Sequence, residues 1–121
     1  MSLEFYKLVH IAGVVMSVMA FAGVLACAVL HAERNHPWRK HSLLLHGVGL
    51  LVALVGGFGM LAKMKLDFPY PLWIQLKFGI WLALGALVAL AGRMPALARI
   101  WWWSAVLLVG AAGWLAIHKL D

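Results

Sequence analysis

Four apolar blocks, Phe5 to Leu30, Leu43 to Ala62, Leu72 to Ala91 and Ala96 to Ile117, take up most of this 121-residue chain. Each is about the 20 residues that a helix needs to cross the hydrocarbon core of a bilayer. Lipid offers no partner for backbone N–H and C=O groups, so a spanning segment must be a helix or part of a closed barrel. Barrel strands are short and alternate apolar with polar residues, whereas these blocks are continuous and rich in Leu, Ala and Gly. The expected fold is therefore all-α. It is a single polytopic domain over residues 1–121, an antiparallel bundle of four transmembrane helices at about 5–30, 42–63, 72–91 and 97–118.

The first block differs from a secretory signal. Glu4 weakens its positive end, its apolar run exceeds a signal core, and no small-residue cleavage site precedes Arg34. It is expected to stay as a spanning helix. What remains is three short connections and two tails, which leaves no room for a soluble catalytic domain. Cys27, the only cysteine, falls inside the first helix, where a packed thiol is expected and no internal disulfide can form.

The net charge of +6 comes from ten Lys and Arg against four Asp and Glu. A nucleic-acid binder would gather such charge on one face. Here most of it flanks the apolar blocks, so no nucleic-acid partner is expected. The first and third connections hold five Lys or Arg (34, 39, 40, 93, 99), against four on the opposite side (7, 63, 65, 119). Basic residues favour the cytoplasmic side, which predicts a bacterial-type inner (plasma) membrane protein with both chain ends outside. Tryptophan placement agrees with this layering. Trp101, Trp102 and Trp103 open the fourth span and Trp73 and Trp114 lie toward the other face, as interfacial belts require, while Trp81 is deeper and either lines a pocket or faces lipid.

Small residues mark helix contacts, because they let backbones approach closely in lipid. Gly47, Gly49, Ala53, Gly56 and Gly57 give the second helix such a surface, and Gly79, Ala83 and Ala86 do so in the third. The bundle is expected to be tight. These surfaces also suit a further copy of the chain or a larger membrane complex.

Ionisable groups inside apolar spans are costly and mark function. His10 and Lys77 are two of them. If the helix ends His31 and His41 are level, His10 stands opposite Ala62, and His46 lies about 24 Å away in depth at 1.5 Å per residue. His10 and His46 are then unsuited to share one iron. Lys77 lies six residues beyond Pro71, in the same leaflet as His10. One layer is thus expected to gather His10, Met60, Lys77 and His118 as cofactor-binding residues, with His10 as the metal ligand.

Histidine nitrogen ligates haem iron, and neutral lysine or methionine sulfur can complete an axial pair. His10 is read either as a cofactor ligand or as a helix-to-helix hydrogen bond. Lys77 is read as a second ligand, as an anchor for a haem propionate, quinone carbonyl or lipid phosphate, or as a stem that snorkels to the outer headgroups. For His46 an interhelical hydrogen bond outweighs ligand duty. His31, His36 and His41 read as surface groups of the first connection. Copper through Met16, Met19, Met60 and Met64 ranks lower, since methionine is ordinary packing material. There is no His-Glu-x-x-His motif, phosphate-binding glycine loop or buried carboxylate pair, and no residue pattern assigns a catalytic role.

The stretch YKLVHIAGVVMSVMAFAGVLACAVLHAE resembles the opening helix of the HemJ-like, CopD-like and SirB-like group of small helical membrane proteins. His10 falls on the motif histidine, Gly13 and its valines fit, and His31-Ala32-Glu33 matches the closing triplet. Trp73 to Lys77 is similar to the Trp-x-x-x-Lys of the HemJ-like and SirB-like patterns. The HemJ-like resemblance implies haem binding, with His10 and Lys77 in the motif positions, and oxidation of protoporphyrinogen. Ala26 and Val88 stand where that family's further arginine and histidine are expected, and its polar ending is absent. What the resemblance carries over is therefore a reduced haem-binding core. The SirB-like pattern fits the length and the four spans best, and implies fold more than function.

The expected function is a haem-b-associated membrane redox protein that works on or with a hydrophobic porphyrin or quinone-like partner, surrounded by membrane lipids and served by a redox partner. The alternative is a non-enzymatic accessory or assembly subunit of a larger membrane complex, with no cofactor. A small transporter ranks third, because no inverted repeat or polar helix break lies at the midplane.

Overall fold

A computed structural model describes residues 2–30 and 36–119. His31, Ala32, Glu33 and Arg34, assigned above to the end of the first span and its connection, lie outside the described residues. The chain forms four helices, α1 (Leu3–Val29), α2 (Pro37–Lys63), α3 (Leu72–Arg93) and α4 (Ala98–His118), with a 3₁₀ turn at Pro95–Leu97 before α4. All four are long and apolar enough to cross a membrane, and there is no strand among the described residues. This is the expected all-α, four-helix membrane bundle.

One boundary differs clearly from expectation. The second helix begins at Pro37, five residues before the anticipated start at 42. Proline suits the first helical position, where its missing N–H costs nothing. The His36 ring completes the cap, as the Trp38 N–H donates to His36 Nδ1 at 3.1 Å. Arg39, Lys40 and His41 therefore ride on a helix that continues past the apolar block instead of lying in a loop. Ser2 Oγ caps the start of α1, accepting from the Phe5 N–H at 3.1 Å, and the C-terminal ends are closed by backbone bonds. Lys65 adopts the left-handed conformation (φ 59°), Leu66 N–H donates to Leu61 O at 3.1 Å and Lys65 N–H to Ala62 O at 3.2 Å. This pattern absorbs the last carbonyls of α2. Across the bundle, Trp101 Nε1 donates to Met94 O at 3.0 Å and ties the turn between α3 and α4.

The packing is uneven, with α1 as the hub. Of its most apolar stretch, 39% of residues are buried, against 11% in each of α3 and α4. The closest contact is between α1 and α2. On α1 the buried line runs Gly13, Ser17, Ala20, Val24, Cys27, and on α2 it runs Ser42, His46, Gly49, Ala53, Gly56. Both advance by alternating steps of three and four residues, the repeat of left-handed helix packing. The backbones touch along this seam. A methyl carbon added at Gly13 would stand 2.7 Å from the Gly49 carbonyl oxygen, and one at Gly49 would stand 2.6 Å from the Ser17 nitrogen.

This seam also corrects the register. His10 lies against Gly56, where an added methyl would be 2.8 Å from the His10 Cα, and not against Ala62. The shift follows from the early start of α2: Val29, the last residue of α1, and Pro37, the first of α2, pair in the same register as His10 and Gly56. Elsewhere the small residues do less than expected: nothing stands within 4 Å of a methyl added at Gly47 or Gly79. The second pair of helices joins α1 through a cluster of Phe21, Leu25, Leu87, Ala91 and Ala105, far from the chain ends.

Candidate functional site

α1 holds His10 two turns from its N-terminal end, and the seam presses that turn onto the Gly56 backbone. At this close approach the ring reaches a main-chain acceptor. His10 Nδ1 donates to the Ala53 carbonyl oxygen at 2.7 Å. An imidazole that gives its Nδ1 proton away keeps Nε2 as a free lone pair, and its ring plane is fixed. His10 is only partly buried, so this edge is accessible to something in the bilayer. The interhelical bond foreseen for this residue is thus formed, by the nitrogen that a ligating histidine does not need.

Lys77 lies in the first part of α3 and is half-buried. Its ammonium is drawn toward the terminal face, 5.9 Å from the centroid of the Trp73 ring one turn earlier. His10 near the start of α1 and Lys77 near the start of α3 both lie toward the end of the bundle that carries the chain termini. Met60 is half-buried one turn beyond Gly56, on the same face of α2. His118 is not gathered in. It is exposed, stacks on Trp114 with ring centroids 4.2 Å apart, and its Nδ1 donates to the Trp114 carbonyl at 3.0 Å, all within its own helix.

His46 is committed elsewhere. It is buried among α1, α2 and α3, with Nδ1 3.0 Å from the Ser17 oxygen and Nε2 3.3 Å from the Leu84 oxygen. A neutral ring donates to one of these, and the shorter distance gives the proton to the Ser17 side. It stands ten residues along α2 from Gly56, about 15 Å at the helical rise. That is less than the sequence argument gave, yet still too far for His10 and His46 to share an iron.

Two participants were missed by sequence reasoning. Trp81, expected to line a pocket or face lipid, instead donates its indole N–H to the Leu50 carbonyl at 2.8 Å, joining α3 to α2. The signal was available, because an indole N–H at mid-depth has to find an acceptor. Lys119 is the second. It follows the end of α4 and brings its ammonium 5.9 Å from the centroid of the Trp73 ring, which Lys77 also approaches.

Among the described residues no group of three or more His, Cys, Asp or Glu converges as a metal cage. A haem does not require one, since a single oriented imidazole is a sufficient protein anchor for its iron. An open apolar groove of about 220 Å³ lies between α1 and α4, lined by Val18, Phe21, Ala22, Trp102, Ala105, Val106 and Val109. It is two to three turns deeper than His10 and carries none of these polar groups. The chain matches no family model, no curated protein and no solved structure.

Proposed function

We propose that the protein is a haem-b-associated redox protein of the membrane, with His10 as its axial ligand. The observation that carries this reading is the state of the His10 ring, whose Nδ1 is held by the Ala53 carbonyl at 2.7 Å. That is how metal-binding histidines are oriented and made more basic at the other nitrogen. Lys77 supplies positive charge toward the same end of the bundle rather than a second ligand, because its ammonium leans toward Trp73. Met60 is the neighbouring thioether. The resemblance of His10 and Lys77 to the HemJ-like pattern supports the same pair.

A bound haem supplies one-electron chemistry at its iron, while the chain contributes the imidazole, the nearby cation and a water-poor setting. The partner is a hydrophobic porphyrin or quinone-like molecule reached through the bilayer, together with a membrane redox partner. The basic residues favour an inner (plasma) membrane with both chain ends on the outer side. Protein purified from cells with ample haem is expected to show a b-type signal in reduced-minus-oxidised spectra, and His10→Ala is expected to abolish it. A well-folded preparation that takes up no haem, even on reconstitution, would overturn the reading.

A second reading rests on a different observation. α3 and α4 leave most of their apolar surface uncovered, including Trp102, Trp103 and Leu107, and methyl groups added at Gly79, Gly110 and Gly113 would meet open space. Such faces suit an accessory or assembly subunit. Cross-linking followed by mass measurement of the intact complex tests it, and a reproducible monomer after mild extraction counts against it.

A further inference from the structure

Two ammonium groups converge on one buried indole at the terminal face of the bundle. Trp73, in the first turn of α3, is 8% exposed. Lys77 approaches its ring from the next turn of the same helix, and Lys119 approaches from the end of α4, each with Nζ 5.9 Å from the ring centroid. Twice that distance, about 12 Å, is the most that can separate the two cations. Lys119 is aimed there by the backbone, since the chain leaves α4 in the left-handed conformation (φ 49°, ψ 58°) with the Lys119 N–H on the Leu115 carbonyl at 2.8 Å.

Like charges within about 12 Å repel, and more strongly where water is thinned out at the membrane boundary. Indole contact at this range is at the outer limit of the cation–π attraction. An anion seated between them would turn the repulsion into a pair of charge-assisted hydrogen bonds.

We propose that Lys77 and Lys119, both near Trp73, form a binding site for the phosphate of an anionic phospholipid where the start of α3 meets the end of α4. Depth favours a lipid as the source of that phosphate. Trp73 comes two residues after Pro71 at the start of a span, the level at which tryptophans meet headgroups. The Lys77 stem lies along apolar surface with its charge turned to the same level. Free phosphate has the same oxygens but lacks acyl chains to place in the surrounding bilayer. The site does not depend on a cofactor at His10.

Native mass spectrometry of the full-length protein in mild detergent, titrated with phosphatidylglycerol, phosphatidylcholine or inorganic phosphate, tests this. Phosphatidylglycerol is expected to bind about fivefold or more tightly than phosphatidylcholine, and Lys77→Gln and Lys119→Gln are each expected to weaken it about fivefold. Lys7→Gln, which removes an exposed lysine of α1 on the same side, is expected to leave binding unchanged. Lys77→Arg and Lys119→Arg are expected to retain it, with helical circular dichroism as the folding check. Wild-type affinity in the double glutamine variant would overturn the proposal. So would an equal loss in Lys7→Gln, loss of lipid from a folded arginine variant, or displacement of the lipid by inorganic phosphate at equal concentration.

Discussion

At the scale of single residues, the two buried-layer histidines have divided their labour. His46 has both ring nitrogens on backbone carbonyls and no free edge, while His10 uses one nitrogen and keeps the other. His46→Leu is therefore expected to lower stability by about 1–2 kcal/mol, the upper range for interhelical hydrogen bonds in lipid, read by denaturant titration in detergent micelles. Under the haem reading the same variant leaves the b-type spectrum in place, which His10→Ala does not. Trp81→Phe removes one such bond and is expected to cost roughly 0.6 kcal/mol. The sequence alone reveals His10, His46 and Lys77 because ionisable groups stand out in apolar runs. The acceptors of His10, His46 and Trp81 are main-chain oxygens of Ala53, Ser17 and Leu50, which no residue type announces. For that reason the partners were hidden while the donors were plain.

At the scale of helices, the seam between α1 and α2 rests on where glycine falls in the repeat. Gly13 and Gly49 lie at backbone contacts, whereas Gly47 and Gly79 face open space. Gly49→Leu is expected to separate the two helices and cost about 3 kcal/mol, the upper range for overpacking. Gly47→Leu is expected to be neutral or to gain up to about 1 kcal/mol from helix propensity. Denaturant titration of both variants checks the contrast. The sequence shows a glycine-rich second helix, but reading it as one surface merges two faces. The alternating three-and-four spacing of Ser42, His46, Gly49, Ala53 and Gly56, with its counterpart on α1, separates them. That spacing also fixes the register, which the depth argument placed six residues away because it started the second helix too late. A smaller test concerns Lys65, whose left-handed backbone costs roughly 1 kcal/mol. Lys65→Gly is expected to raise stability by a fraction of that.

At the scale of the whole molecule, four spans were legible from block length alone, and the unequal pairing among them was not. Hydropathy reports that a helix enters lipid, but it cannot say which neighbour covers it. Burial falls from 39% of the apolar stretch in α1 to 11% in α3 and α4, so the protein is a close pair with a looser pair leaning on it. Reporter fusions at the C-terminus are expected to place it outside the cytoplasm, and Arg39→Gln with Lys40→Gln is expected to weaken that preference, since the basic margin is only five to four. The hydrogen bonds of α1 and α2 have a bearing on biogenesis. His10, Ser17 and His46 each find an acceptor within this pair, so the first hairpin can leave the translocation machinery with its polar side chains already covered. The Trp81 N–H finds its acceptor on α2. The second hairpin therefore completes its bonding only by docking on the first, and the order in which the helices are synthesised is also the order in which lipid can accept them.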